Sequence, residues 1–275
     1  MRTDFELLLF SVDEEFIPQA VAAGVSGVIV DWENHEKKAR QTGFDTEINH
    51  HTLEDLKRVR SCTTAPVICR INAPGASSAD EIELALDAGA NEILVPMVRT
   101  PAEVVQILYQ VRGRCDVGIL VETVAAIEHA HALAALPLKR VYVGLNDLAI
   151  QRRTPSIFTP IADGALDRLR DVFTGTFGFG GVTLPDCGFP IECRLLIGEL
   201  ARQQADFSFL RRSFHADIAD RQLNVEIPRI HAALRSAFQR STSAVERDHK
   251  VLCTAIETLM PGANQAPAHA VPGSA

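Results

Sequence analysis

The chain has 275 residues, of which 47% are hydrophobic and 23% charged, with a net charge of -8 and a pI near 5.6. That length suits one large barrel-type domain or two smaller ones. The acidic balance excludes the phosphate-tracking surface of a nucleic-acid binder, and no apolar run approaches the roughly 20 residues of a membrane span.

The N-terminal stretch MRTDFELLLFSVDEE has too short an apolar run for a secretory signal and lacks a small-residue cleavage site. Six cysteines (Cys62, Cys69, Cys115, Cys187, Cys193 and Cys253) include no CxxC pair, which argues against a zinc knuckle or dithiol site. Reduced thiols and a cytoplasmic location are the expectation.

Strand-like and helix-like segments alternate along the chain. Phe5 to Val12 is an apolar run, and Glu14 to Gly24 reads helical. Gly27 to Trp32 is a second strand, and Thr52 caps a helix to Ser61. Pro66 to Ile71 is a third strand, followed by a helix from Ser78 to Ala88 with Ser77 or Ser78 as its cap. Glu92 to Val98 is the fourth, and Thr100-Pro101 opens a helix to about Arg112. Val117 to Glu122 and Arg140 to Asp147 are the fifth and sixth strands, with a helix over 123–135 between them. Asp163 to Thr174 reads helical, Phe179 to Leu184 is a seventh strand, Ile191 to Gln203 is helical, and Asp206 to Arg211 is the eighth strand. A helix from about Val225 to Arg240 follows.

Eight strands alternating with helices predict a parallel (β/α)8 TIM barrel, because each parallel pairing needs a crossover. The length fits the roughly 250 residues of that fold. An open doubly wound sheet is disfavoured, since no Gly-rich dinucleotide fingerprint follows the first strand. The expected organisation is a catalytic barrel over 1–240, a helical extension over 241–260, and a Pro/Ala/Gly-rich tail over 261–275 expected to be disordered.

In such a barrel the chemistry gathers at the C-terminal ends of the strands. The polar residues there are Asp31, Glu33, Arg70, Asn72, Arg99, Glu122, Thr123, Asn146, Asp147, Thr183, Asp186, Arg211, Arg212, Ser213 and His215. Glu122 and Asp147 end neighbouring strands, and two carboxylates held close together repel, which invites a cation or a shared proton. Oxygen donors suit Mg2+, or another divalent cation such as Mn2+, which one or two carboxylates commonly hold. A 2-oxo acid would chelate such an ion, and Arg70 would place a fixed positive charge beside the enolate oxygen. Arg211 or Arg212 reads either as an ion-pair partner for a rim acid or as a recogniser of phosphate or a second carboxylate. The five lysines all fall away from the expected barrel mouth, so a Schiff-base mechanism has no candidate.

These residues resemble the pyruvate-dependent aldolase and citrate lyase group (HpcH/HpaI type). ILVPMVRTPAEV at 93–104 is similar to its fourth strand, ILVET at 119–123 and VYVGLNDLA at 141–149 to its metal-binding strands, and CRIN at 69–72 to its substrate-arginine strand. The resemblance implies magnesium on Glu122 and Asp147, Arg70 as the substrate arginine, and a substrate carboxylate on the backbone amides of Leu145, Asn146 and Asp147. It also implies a homo-oligomer that exchanges its last helix. In the aldolase branch the second strand ends D-x-E-H with a histidine base, whereas this chain has Asp31-Trp32-Glu33-Asn34. The general base is therefore expected from His35 or His50, with His51 beside them, in a long charged loop that reads as a lid.

The expected function is a magnesium-dependent carbon–carbon lyase or aldolase that joins a 2-oxo acid to an aldehyde or acyl partner. A CoA-thioester lyase or condensing enzyme of the citrate lyase type is the alternative. A barrel that binds metal and 2-oxo acid without catalysis is the third reading.

Overall fold

The computed structural model describes residues 5–34 and 51–259. Strands β1 (Glu6–Phe10), β2 (Gly27–Asp31), β3 (Val67–Arg70), β4 (Glu92–Val95), β5 (Asp116–Val121), β6 (Arg140–Val143), β7 (Phe177–Phe179) and β8 (Phe207–Leu210) form a closed barrel in that order. Every pairing is parallel, and β8 returns to β1. The described helices are α1 (Phe16–Ala23), α2 (Leu53–Cys62), α3 (Ser78–Asp87), α4 (Pro101–Val111), α5 (Val124–Glu128), α6 (Ala130–Ala134), α7 (Leu145–Arg152), α8 (Thr159–Ala162), α9 (Ala165–Val172), α10 (Cys193–Arg202), α11 (Ser213–Ile218), α12 (Leu223–Phe238) and α13 (Thr242–Thr258). The chain is thus a (β/α)8 barrel with an additional C-terminal helix.

Side chains alternate across each strand, and the alternation sorts the core into two clusters. Leu8, Ile29, Ile68, Leu94, Leu120, Tyr142, Phe207 and Phe209 fill the barrel interior. Their neighbours Leu7, Leu9, Val28, Val30, Cys69, Ile93 and Ile119 belong to the larger cluster with the helices. Burial on both faces explains why these strands read as nearly continuous apolar runs.

Several elements differ from the sequence reading. The sixth strand stops at Val143, and Asp147 lies in the first turn of α7 instead of at a strand end. The helix expected over 123–135 breaks at His129 into α5 and α6. The seventh strand is Phe177–Phe179, earlier than expected, because Gly180 takes a φ of 67° and leaves the sheet. Val182 returns to it by a single bridge to Leu210. Gly178 is needed where β7 meets β8, since a Cβ there would lie 2.5 Å from the Phe207 carbonyl oxygen.

Thr52 and Thr100 cap α2 and α4 as expected, each in a reciprocal capping box with Asp55 and Glu103. Ser77 stands at the start of α3 but makes no capping bond. Helix α13 lies against α10 and buries Leu252 and Ile256.

Candidate active site

The interior residues of the barrel locate the site by counting two positions onward. Ile29 leads to Asp31, Ile68 to Arg70, Leu120 to Glu122, Tyr142 to Gly144 and Phe209 to Arg211. These positions form the layer above the apolar plug, at the C-terminal end of the barrel. A cavity of about 1130 Å³ opens there, lined by Arg70, Glu122, Leu145, Asn146, Asp147, Arg211, Arg212, His215 and others.

Arg70 is held from below and beside. Its Nε and Nη2 donate to Asp31 Oδ1 and Oδ2 at 2.8 and 2.7 Å, and Nη1 lies 3.4 Å from Glu33 Oε2. The guanidinium also sits 5.0 Å over the Phe10 ring. The β2–β3 register places Asp31 opposite Arg70. Burial disfavours the Arg70 charge, but Asp31 and Glu33 outweigh it and hold the pKa above its usual value. Asp31 is itself oriented, taking the Glu33 amide on Oδ1 at 3.1 Å.

Glu122 directly follows β5, and Thr123 after it caps α5. The Thr123 hydroxyl accepts from Ala126 N at 3.0 Å and donates to Val98 O at 2.7 Å, which ties the segments that follow β4 and β5 together. Glu122 Oε1 accepts the Met97 amide at 2.8 Å. Met97 reaches it from a left-handed conformation with φ 53°, a costly geometry for a side-chain-bearing residue. The other oxygen, Oε2, lies over Gly144, where a Cβ would come within 2.3 Å of it. Gly144 therefore leaves room for the carboxylate and also stands as the N-cap of α7.

Burial is the first cause that pushes the Glu122 carboxyl up, to about 8, and the Asp147 and Glu33 charges add to it. Deep burial among like charges is the setting in which a bound cation is stabilising. Among the described residues no three His, Cys, Asp or Glu side chains converge as a ready-made cage. The available donors are carboxylate oxygens, which fits a hard divalent ion that keeps several waters. Asp147 stands third in α7, whose first residues are Leu145 and Asn146. A helix gives its first amides no intrahelical acceptor, so this turn presents donors to the cavity.

Arg70, Glu122, Leu145, Asn146 and Asp147 thus line one cavity, as the sequence reading expects of its site residues. His35 and His50, the expected bases, lie outside the described residues. The neighbouring His51 accepts the Asp31 amide on Nδ1 at 3.0 Å, and the Asn34 amide donates to Asn72 Oδ1 at 3.0 Å. Two expected rim residues turn away from the cavity. Arg99 pairs with Glu103 on α4, and Asp186 pairs with Arg221 and Arg229.

Sequence reasoning missed Phe10 and Tyr142. Tyr142 stacks on Phe209 with centroids 3.7 Å apart and donates its hydroxyl to the Gly180 carbonyl. Burial, with Glu122 nearby, pushes the phenol pKa up and keeps it protonated. Only its place in an apolar strand was legible.

A family model described as HpcH/HpaI aldolase/citrate lyase matches residues 7–156, more than half of the chain. The chain belongs to this family. It is similar to a HpcH/HpaI aldolase/citrate lyase family protein from Burkholderia cenocepacia J2315, at 14% identity and TM-score 0.58, covering 76% of this chain and 88% of that one. It is also similar to a HpcH/HpaI aldolase from Desulfitobacterium hafniense DCB-2, at 13% identity and TM-score 0.58, covering 79% and 91%. The citrate synthase SbnG is a third neighbour, at 19% identity and TM-score 0.56, covering 79% and 93%. At these identities the structural neighbours establish the fold alone. No curated protein matches the chain. Membership places the chain among aldolase- and lyase-type enzymes, and no described helix is long and apolar enough to cross a membrane.

Proposed function

We propose that the protein is a divalent-cation-dependent carbon–carbon lyase or aldolase that acts through the enolate of pyruvate or a related 2-oxo acid. The observation that supports this most is a pair of acids beside one clamped arginine: Glu122 and Asp147 line the cavity with Arg70, which Asp31 and Glu33 hold in place.

In this reading Glu122 and Asp147 hold Mg2+ or Mn2+, and the bound ion supplies Lewis-acid polarisation of the substrate carbonyl. The amides of Leu145, Asn146 and Asp147 receive the substrate carboxylate at the start of α7. Arg70 faces the oxygen on which charge develops, and the Asp31 and Glu33 clamp fixes its orientation before substrate arrives. Tyr142, Leu120 and Phe209 form an apolar floor that keeps water from the reacting carbons.

The cavity exceeds what a three-carbon acid fills, and its far wall carries Arg211, Arg212 and Ser213. That favours a second substrate, an aldehyde or acyl partner, bound beside the 2-oxo acid. It leaves a condensing reaction of the citrate lyase type as the second reading.

Calorimetric titration with Mn2+, in the presence of oxalate as a 2-oxo acid enolate mimic, tests the assignment. Wild-type protein should bind the ion, Glu122→Gln and Asp147→Asn should lose it, and Arg70→Lys should keep the ion but bind oxalate weakly. Undiminished Mn2+ binding by both carboxylate variants would remove the basis of the reading.

A further inference from the structure

Far from the cavity floor, the C-terminal helix carries a second cluster of reactive groups. His249 Nδ1 lies 2.8 Å from Glu199 Oε2 on α10, and Cys253 Sγ lies 3.4 Å from His249 Nε2. Glu199 is fully buried, while Cys253 is half-buried and carries a free thiol. A nucleophile, a base in reach of it, and a third group orienting the base are the three parts of an activated thiol.

The proton positions follow from the partners. Burial would raise the Glu199 pKa, but hydrogen bonds from His249, Arg202 and Gln203 outweigh it and hold the carboxyl at about 2. An ionised carboxylate only accepts, so His249 Nδ1 must be the donor, which leaves Nε2 as the ring nitrogen that faces Cys253. Its neighbour is the Cys253 S–H. Arg202 is in turn held by Asp167 on α9, so Glu199 cannot turn away without leaving Arg202 and Gln203 behind. Burial, then Glu199, keep the Cys253 thiol pKa above its ordinary value; Arg202 opposes them, while Glu257 and Asp167 add to them. The sulfur is therefore protonated at rest, and reaction depends on a proton acceptor in place.

From this geometry we infer that Cys253 is a site of reversible thiol modification by low-molecular-weight disulfides, with His249 as its base and Glu199 as the positioning residue. As the S–H proton passes to His249 Nε2, the Cys253 sulfur attacks one sulfur of the disulfide. The disulfide bond breaks, a new bond joins Cys253 to that sulfur, and the displaced thiolate takes up the proton. Cys253 is oxidised and the released half of the disulfide is reduced, so no further oxidant enters the balance.

The position of the cluster connects it to the cavity. Leu252 and Ile256, on either side of Cys253, are the buried contacts of α13, and Leu259 at the helix end lines the cavity. An adduct on a half-buried sulfur between those contacts must lift the helix, and Leu259 moves with it.

Oxidised glutathione, with peptide mapping by mass spectrometry, provides the test on the full chain. The three other half-buried thiols, Cys62, Cys115 and Cys187, serve as internal references. Cys253 should be modified about a hundredfold or more faster than any of them, the range of a positioned base. His249→Gln should bring Cys253 down to their range while the references keep their rates. Equal rates at all four cysteines, or a Cys253 rate unaffected by His249→Gln, would overturn the assignment. Hydrogen exchange over 242–259 should rise in the Cys253 adduct and stay at the unmodified level in a treated Cys253→Ser control; unchanged exchange in the adduct would overturn the link to the cavity. Neither readout depends on the activity proposed for the barrel mouth.

Discussion

The two ends of the barrel interior are built alike and balanced differently. At the N-terminal end, two positions before the apolar plug, Arg140 donates to both oxygens of Glu92 at 2.9 Å and to Glu6 at 2.6 Å, and lies 5.0 Å over the Phe207 ring. At the C-terminal end Arg70 makes the same kind of contacts to Asp31, Glu33 and Phe10. The lower arginine answers two carboxylates, whereas the upper one answers two and leaves Glu122 beside Asp147. Burial pushes both buried glutamates up, Glu92 to about 7 and Glu122 to about 8. The next cause differs in sign: Arg140 pulls Glu92 down, while Asp147 pushes Glu122 further up. A buried arginine–carboxylate cluster is therefore not by itself a site. The end where a second carboxylate pushes Glu122 further up is the one that a bound cation would stabilise.

Replacing each arginine separates the two ends most strongly. Arg140→Met should cost about 3–4 kcal/mol of stability in urea unfolding, because Glu92 is left buried and unpaired. The folded fraction should keep its affinity for Mn2+. Arg70→Met should instead lose oxalate binding and about a thousandfold in turnover, as expected for a group that faces developing charge. If the two variants shared one phenotype, the ends would not differ in role.

A smaller effect lies in the pH dependence of stability. The folded-state pKa of Glu92 sits above its unfolded value of 4.5. Its favourable contribution is therefore complete below about pH 4.5 and is lost as pH rises through about 7, a change of about 3 kcal/mol at most. Glu92→Gln should flatten the stability profile across that window when unfolding is measured at a series of pH values. An unchanged slope would mean that the lower cluster is better compensated than its geometry indicates.

Gly144→Ala perturbs the upper end alone. The added Cβ falls against Glu122 Oε2 and 3.0 Å from Glu122 Cβ, so the carboxylate must shift. Cation affinity should fall about tenfold, as for loss of a supporting contact around a metal ligand, with little change at the lower cluster. Calorimetry on the variant reads it directly.

Much of this layout was legible in the sequence. Inward positions on a parallel strand repeat every two residues, so Glu122 after Leu120 and Arg70 after Ile68 follow from the apolar pattern once a barrel is inferred. Asp147 lines the cavity from the first turn of α7 and not from a strand end, because VYVGLND reads apolar and extended while Gly144 in fact follows the strand and starts α7. The clamp of Asp31 and Glu33 on Arg70 was hidden, since it depends on the register of β2 against β3. Arg99 was misread as a rim residue, although the Thr100…Glu103 capping box gives it a nearby partner. On α13, His249 and Cys253 stand four apart on one helix face, but Glu199 lies fifty residues away, and only the fold brings it alongside.

Exchange of the pyruvate methyl protons in D2O, followed by NMR, tests most directly whether a cation at the upper end forms a 2-oxo acid enolate. Exchange should require Mg2+ or Mn2+, stop on chelation, and be abolished in Glu122→Gln and Asp147→Asn. Exchange that continues at full rate after chelation, or in either variant, would contradict it.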